Sequence, residues 1–161
     1  MLNINQFRDC LIKPVLDDLQ IYSKEAEELL VFTCAAESHG GSFIKQIKGP
    51  ALGIYQMEPN THNDIWDSYL KFRLSMIQKI TLKFDCPVIP RAERLIYDMR
   101  YSTMMARIHY LRIKYPLPPF DDIDAIWSYY KDHWNTNQGK AKKDASIKLY
   151  HRFVGTKNPD Q

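Results

Sequence analysis

The chain has 161 residues and a formal net charge of +3, with 45% hydrophobic, 12% aromatic and 25% charged residues. These values are typical of one soluble globular domain, and they exclude a disordered chain, a collagen and a coiled coil. We therefore expect a single domain over residues 1–161. No apolar run approaches the ~18–20 residues that cross a bilayer, and no basic start followed by an apolar block opens the chain, so neither a membrane span nor a Sec-type signal is expected.

The excess positive charge is local. Residues 140–161 hold six cations and two acids, a net charge of +4 that leaves the rest of the chain at −1. The body of the protein therefore lacks the basic surface of a nucleic-acid reader, and no nucleic-acid partner is expected. The basic segment is interpreted as the solvated face of a last helix, with weak attraction to an acidic polymer as the alternative.

The first half of the chain has helical hydrophobic spacing and one glycine-rich loop. No segment alternates apolar and polar residues for long enough to indicate a buried strand, so the pattern predicts a mostly α fold. A first helix over residues 7–19 is expected to be interrupted near Pro14. A second helix begins with Ser23 as its N-cap and ends near Gly40 and Gly41. The loop that follows, residues 40–59, holds four of the six glycines.

The second half is also predicted to be helical. One helix covers residues 61–84, and after Pro87 and Pro90 a long helical pattern covers 91–115 until a group of prolines stops it. Asp121 or Asp122 then caps a helix that runs to about Trp134, and a last helix covers 142–153. We find no internal repeat and no linker long enough to separate two domains.

Glu37 is the residue that least fits its surroundings. It follows Ala26 by 11 residues and Leu30 by 7, so at ~100° per residue the three side chains project within roughly 20° of one another. Burial on this apolar face and the negative end of the helix dipole both raise the pKa of a carboxyl. A carboxyl that is protonated near neutral pH suits general-acid catalysis. The alternative is a glutamate at the rim that reaches water or pairs with an arginine.

The loop after this helix has a composition suited to bringing backbone close to a ligand, with Gly49 and Gly53 beside an amide side chain and a proline stop. The pair Glu37-Ser38, the segment Gly53-Ile54-Tyr55-Gln56-Met57 that begins sixteen positions on, and then Pro59 and Thr61 resemble the signature of the lysozyme-like soluble lytic transglycosylases. In that family a Glu-Ser pair ends a helix, and a Gly-Leu-Met-Gln segment followed by Pro-x-Thr lines the glycan cleft.

Two later segments are similar to further elements of the same family. Residues 106–112 are similar to a helix that ends in Tyr-Leu, and residues 125–130 are similar to an Ala-Ala-Tyr-Asn element. In this alignment Tyr129 takes the place of the site tyrosine, and Tyr130 stands where the family has Asn. The resemblance covers roughly residues 20–135, and residues 63–91 have no counterpart.

The resemblance implies a lysozyme-like fold and cleavage of the β-1,4 bond between N-acetylmuramic acid and N-acetylglucosamine. Glu37 would be the one catalytic group: it protonates the leaving oxygen, the acetamido group of the substrate assists, and a 1,6-anhydro ring closes. The implied glycan-binding residues are Ser38, Gly53, Tyr55, Gln56, Met57, Glu58 and Tyr129. Ser38 as a polar residue at a helix end and Tyr129 as a core aromatic are the alternatives for those two.

A second carboxylate would instead give a hydrolytic lysozyme. Glu58, Asp64 and Asp67 are the candidates, although Glu58 directly before Pro59 also suits a loop carboxylate that binds backbone N–H groups. No cofactor is expected. A metal site is not expected either, because the histidines lack H-x-x-x-H spacing and the three cysteines are far apart. The three tryptophans could stack on sugars, although their spacing favours core packing.

The resemblance also implies where the protein acts. Its partner would be the glycan strands of peptidoglycan, and a short domain of this kind is typical of a bacteriophage endolysin or virion component. It would be made in the bacterial cytoplasm without a signal peptide and would act at the cell wall. Other virion or tail proteins would be its further partners. Two alternatives stay open: a structural virion protein with the same fold and weak or lost activity, and a helical inhibitor or DNA-binding domain suggested by the basic segment alone.

Overall fold

The structure is a computed structural model that describes residues 1–135 and 139–155. It is mostly helical, which confirms the predicted all-α class. Within the described ranges the extended pairing is limited to two isolated antiparallel bridges, Lys45 with Leu52 and Leu52 with Met57. Two charged residues of the basic C-terminal segment, Lys157 and Asp160, lie outside the described residues.

The α-helices, in chain order, are α1 (Ile4–Gln6), α2 (Lys13–Asp18), α3 (Lys24–Ser38), α4 (Pro59–Asp64), α5 (Leu74–Phe84), α6 (Arg94–Tyr97), α7 (Met99–Leu111), α8 (Ile123–Tyr130) and α9 (Lys143–Val154). Three π-helical segments extend them: Phe7–Ile12 joins α1 to α2, Ile65–Tyr69 follows α4, and Lys131–Asn135 follows α8. A 3₁₀ turn, Leu70–Phe72, precedes α5.

Helix α3 is the centre of the fold. The Ser23 hydroxyl accepts a hydrogen bond from the Ala26 N–H at 3.1 Å, which confirms Ser23 as the N-cap. The helix is buried on nearly all sides along its middle and packs against α7, α8 and α9. It ends at Ser38, where His39 takes a left-handed conformation with φ 53° and Gly40 and Gly41 follow with positive φ. The predicted end of this helix is thereby confirmed.

An ionic cluster joins the N-terminal helices to α3 and α9. The Arg8 guanidinium lies 2.6 Å from a carboxylate oxygen of Glu27 and 2.8 Å from one of Glu28. The Tyr150 hydroxyl donates to Glu28 at 2.6 Å, and the Tyr22 hydroxyl donates to Glu27 at 2.7 Å. Because each carboxylate is paired and hydrogen-bonded, the cluster holds α3 in register without leaving an uncompensated buried charge.

The predicted interruption at Pro14 takes the form of a widened turn rather than a break. The Lys13 N–H bonds to the carbonyl of Arg8, five residues back, so the chain is π-helical up to Ile12 and α-helical from Lys13. Pro14 lies in the first turn of α2, where a missing N–H costs little. The helix therefore continues through the proline.

Two predicted long helices are shorter than expected. The predicted helix over 61–84 is broken at Arg73, whose φ of −128° and ψ of 68° are not helical and whose guanidinium lies 3.5 Å from the centre of the Tyr69 ring. The predicted helix over 91–115 is divided by Asp98, whose carboxylate accepts the Tyr101 N–H at 2.9 Å and caps α7. Asp122 caps α8 in the same way, and α9 confirms the predicted last helix.

Candidate active site

The C-terminal end of α3 is fixed to the loop that follows. The buried Ser38 hydroxyl donates to the carbonyl of Ile54 at 2.5 Å and accepts the Gly41 N–H at 2.9 Å. One side chain thus connects the helix end, the left-handed residues after it and the turn sixteen positions on. Because Ser38 is the neighbour of Glu37, these bonds also fix the backbone that carries the Glu37 carboxyl.

The turn over residues 52–57 is tight and rigid. Leu52 and Met57 exchange two backbone hydrogen bonds of 2.9 Å each, and the Gln56 N–H donates to the Gly53 carbonyl at 3.0 Å. Gly53 has φ +74°, and a Cβ atom there would lie 2.5 Å from the carbonyl oxygen of Leu95, so only glycine fits this close approach. Gln56 has φ 51°, a strained conformation for a residue with a side chain.

A cleft of about 750 Å³ opens between this turn and the segment that follows α8. Glu37 at the end of α3 lies in its wall, with Gln56, Met57 and Glu58 from the turn. The lining also includes Tyr130, Trp134, Asn135 and the stretch 139–141. Residues almost a hundred positions apart in the chain therefore line one cavity.

The Glu37 carboxyl is largely buried and receives two side-chain hydrogen bonds. The Tyr130 hydroxyl donates to Oε1 of Glu37 at 2.6 Å, and the Asn135 side chain also bonds to the carboxyl. Burial raises the pKa of Glu37 more than these two bonds lower it, and the result is a pKa of about 7. A substantial fraction of the carboxyl is therefore protonated at neutral pH, as a general acid requires.

The neighbours of Glu37 are themselves oriented. Oδ1 of Asn135 accepts from Nζ of Lys131 at 2.7 Å and from the Ala141 N–H at 3.4 Å, which leaves the amide nitrogen to donate to Glu37. The Tyr130 ring packs edge-on against Phe32 of α3, with 5.4 Å between ring centroids. Burial and the nearby Glu37 raise the pKa of Tyr130, so its hydroxyl keeps its proton and remains a donor.

His109 and Trp134 also line the cleft. The two rings are in edge-to-face contact with 4.7 Å between centroids. His109 lies 2.7 Å from the carbonyl of His133, to which its Nε2–H donates, and burial lowers its pKa to about 4. The imidazole is therefore neutral at pH 7. Trp66 and Trp127 are buried in the core, so of the three tryptophans it is Trp134 that lies at the cleft.

The structure brings four of the eight predicted site residues to the cleft wall: Glu37, Gln56, Met57 and Glu58. Ser38, Gly53 and Tyr55 lie behind that wall and support it. Tyr55 is fully buried, and its hydroxyl donates to Thr103 at 3.3 Å. These three residues position the site and do not line the cavity.

Tyr129 does not contact Glu37. Its hydroxyl donates to the carbonyl of Tyr115 at 3.2 Å, on another side of α8, and the tyrosine that bonds to Glu37 is Tyr130. The reason is helical phase. Tyr130 follows Ile126 by four residues, so both lie on the apolar face of α8 that packs against α3, whereas Tyr129 is rotated by ~100°.

The sequence reasoning missed Tyr130, Asn135 and Lys140 as residues of the site. The i, i+4 spacing of Ile126 and Tyr130 was a usable signal for the tyrosine, because it marks the core-facing side of α8. Asn135 is the last residue of a π-helical segment and Lys140 lies outside the helices, and the hydrophobic pattern gave no direction for either side chain. Their place in the cleft depends on how α8 docks on α3.

The other predicted carboxylates lie elsewhere. Asp64 pairs with Arg112 at 2.6 Å, and neither Asp64 nor Asp67 is among the residues that line the cleft. Glu58 is exposed at the cleft edge. In the described part of the chain, no group of three or more His, Cys, Asp or Glu side chains is placed to hold a metal ion.

Comparisons of the chain with protein-family models, curated proteins and solved structures found no match. The resemblance to lytic transglycosylases therefore depends on the sequence segments quoted above. Over residues 1–135 and 139–155, no helix is both long and apolar enough to cross a membrane.

Proposed function

We propose that this protein cleaves the β-1,4 bond between N-acetylmuramic acid and N-acetylglucosamine in peptidoglycan, by the lytic transglycosylase reaction. The observation that carries the proposal is the Glu37 carboxyl, which lies in the wall of a cleft with a pKa raised to about 7 by burial. Glycosidic cleavage needs an acid of this kind, because the leaving oxygen must be protonated as the bond breaks.

In the proposed reaction Glu37 donates its proton to the glycosidic oxygen, and the acetamido oxygen of the muramic residue stabilises the positive charge that develops at the anomeric carbon. The Glu37 carboxylate then takes the proton of the C6 hydroxyl as that oxygen attacks the anomeric carbon and closes the 1,6-anhydro ring. The hydrogen bond from Tyr130 to Oε1 holds the carboxyl in one orientation through both steps. Tyr130 is thus a positioning residue for Glu37.

Gln56 is the proposed reader of an N-acetyl group. Its side-chain Nε2 donates to the Gly53 carbonyl at 2.8 Å, which points the amide in a fixed direction and leaves Oε1 as an acceptor for a sugar N–H. Trp134, which lines the same cleft, supplies an aromatic surface of the kind on which sugar rings stack. Both features suit a neutral, amide-bearing glycan.

Hydrolysis with Glu58 as the second carboxylate is the other candidate, because Glu58 lines the same cleft as Glu37. In that reaction Glu58 would act on the anomeric carbon directly or through a water molecule. The two reactions share Glu37 as the acid and differ in the product: an anhydro sugar in one and a reducing sugar in the other.

Clearing of purified cell walls by wild-type protein and by Glu37→Gln tests the proposed function. The amide matches the carboxyl in shape and cannot donate a proton, so we expect a loss of ~10²–10⁴-fold in wall degradation. Circular dichroism of the two proteins should coincide. Residual activity within a few-fold of wild type would contradict the role of Glu37, and a wild-type protein without any activity would favour the structural virion protein instead.

A further inference from the structure

A second, smaller cavity of about 270 Å³ adjoins the cleft at Glu37. Three residues, Glu37, Gln46 and Gln56, belong to the walls of both cavities. Glu37 therefore borders both cavities. A substituent carried by a sugar at the scissile bond has room to enter the second cavity while the glycan lies in the cleft.

The residues that line this second cavity are mainly basic among the charged ones. Lys45 and Lys48 lie in its wall, and Glu37 is the one acidic residue among those that line it. The segment 42–50 contains no Asp or Glu. Both lysines are exposed, and neither takes part in an ion pair within the described ranges. We call this cavity the lysine pocket.

The backbone that carries Lys45 is held in place. The Gly53 N–H donates to the Ile44 carbonyl and the Gln46 N–H donates to the Ala51 carbonyl, both at 2.9 Å. Oε1 of Gln46 also accepts the Ala51 N–H at 3.2 Å. These bonds join the lysine segment to the same turn that presents Gln56, so the distance of the lysine pocket from Glu37 is fixed by the fold.

We infer that the lysine pocket binds a carboxylate carried by the sugar at the scissile bond, which makes Lys45 and Lys48 determinants of substrate choice. The inference rests on the proposed function. The two unpaired ammonium groups of the lysine pocket add no charge attraction to the binding of a neutral glycan such as chitin. A muramic residue supplies carboxylates at this place, either on its peptide or, when the peptide has been removed, on its own lactyl group.

Binding to the Glu37→Gln variant tests the inference, because this variant retains the shape of the site and does not turn over its ligand. Three soluble ligands are titrated: chitin oligomers without carboxylates, peptide-free glycan strands with lactyl carboxylates, and peptide-bearing strands. We expect Lys45→Gln with Lys48→Gln to weaken binding of carboxylate-bearing strands by ~10-fold at low salt, about threefold per exposed lysine. The loss should vanish at ~1 M salt, where charges are screened within ~3 Å.

A matched control removes two exposed lysines outside both cavities, Lys13 and Lys114. Lys13→Gln with Lys114→Gln changes the net charge equally and should leave binding of all three ligands unchanged. If the Lys45 and Lys48 substitutions weaken binding of peptide-bearing strands alone, the lysine pocket binds the peptide carboxylates. If they weaken binding of peptide-free strands alone, it binds the lactyl carboxylate. An equal loss for chitin, an equal loss in the control, or no loss in any titration would overturn the inference.

The failure of the inference and that of the proposed function are distinguishable. If wild-type protein cleaves peptidoglycan and the Lys45 and Lys48 substitutions leave binding unchanged, the lysine pocket alone loses its role. If wild-type protein neither binds nor cleaves any of the strands, the proposed function fails, and the inference that rests on it is overturned as well.

Discussion

At the scale of single residues, the Glu37 carboxyl is balanced between opposing effects. Burial raises its pKa, whereas the bonds from Tyr130 and Asn135 lower it, and burial is the larger effect. A carboxyl with a pKa of about 7 is both a usable acid and, once ionised, a usable base. The proposed reaction needs both forms in turn.

Replacement of Tyr130 by Phe tests this balance. Because the lost hydrogen bond stabilised the ionised carboxylate, the pKa of Glu37 should rise, and the alkaline limb of the pH profile of kcat/KM should move to higher pH. Loss of one hydrogen bond worth ~1.4 kcal/mol should also lower kcat by about tenfold. The profile is measured on soluble glycan strands between pH 5 and pH 9.

Tyr129→Phe is the matched control, because the Tyr129 hydroxyl bonds to the Tyr115 carbonyl and not to Glu37. It should leave the alkaline limb where it is in wild type. An unchanged limb in Tyr130→Phe, or an equal shift in both variants, would show that Tyr130 does not set the pKa of Glu37.

The choice between two adjacent tyrosines shows what residue-level sequence reasoning could not provide. The position of Glu37 on the buried side of α3 followed from its spacing to Ala26 and Leu30, because helix geometry alone fixes that relation. Which side of α8 faces Glu37 depends on the docking of two helices that lie ninety residues apart in the chain. The family resemblance pointed to Tyr129 as the site tyrosine, whereas Tyr130, packed on Phe32, is the tyrosine that bonds to Glu37.

At the scale of elements, the site depends on a turn that is packed against the end of α3. Ser38 bonds to that turn from one side, and the close approach of Gly53 to the Leu95 carbonyl fixes it from the other. The loop is therefore a rigid part of the wall, and Gln56 is held in its strained conformation by bonds on both sides of it.

Gly53→Ala tests the rigidity of this turn. The added Cβ would lie 2.5 Å from the Leu95 carbonyl oxygen at a residue with φ +74°, so the turn must shift. We expect a loss of ~1–3 kcal/mol in the free energy of unfolding, measured by denaturant titration, together with a large loss of wall degradation.

Gly49→Ala serves as the comparison for stability. Its φ is not in the left-handed region, and the nearest contact of an added Cβ is the movable end of the Gln46 side chain. Moving that end costs the Gln46 hydrogen bond to the Ala51 N–H, so Gly49→Ala should lose clearly less stability than Gly53→Ala. If both alanine variants lose the same stability, or neither does, the Gly53 contact has no special role.

Some element boundaries were predictable and others were not. Ser23 was predicted as a cap, and Asp122 was one of two candidates with Asp121, because an N-cap is a hydrogen bond within four residues and the sequence shows both partners. The break at Asp98 was missed because this cap lies inside an uninterrupted helical pattern of apolar residues. The break at Arg73 was missed because neither a proline nor a glycine marks it.

At the scale of the whole molecule, Glu37 lies between a large cleft and the lysine pocket. The residues that line the cleft come from two parts of the chain, 36–61 and 109–141. Helix α3 is the element that both halves share, since α7, α8 and α9 all pack against it. The sequence indicated the first part through Glu37 and Gln56 and pointed to α8 through Tyr129, but which residues of the second part line the cleft is decided by tertiary packing.

The central claim is that Glu37 acts without a second carboxylate, and digestion of peptidoglycan in water enriched in heavy oxygen tests it most directly. Mass spectrometry of the released muropeptides should show 1,6-anhydromuramic ends without label, because the oxygen that closes the ring comes from the sugar. Glu58→Gln should give the same unlabelled product at a similar rate. Heavy oxygen at the new muramic ends, lost together with activity in Glu58→Gln, would contradict the claim and identify a hydrolytic lysozyme.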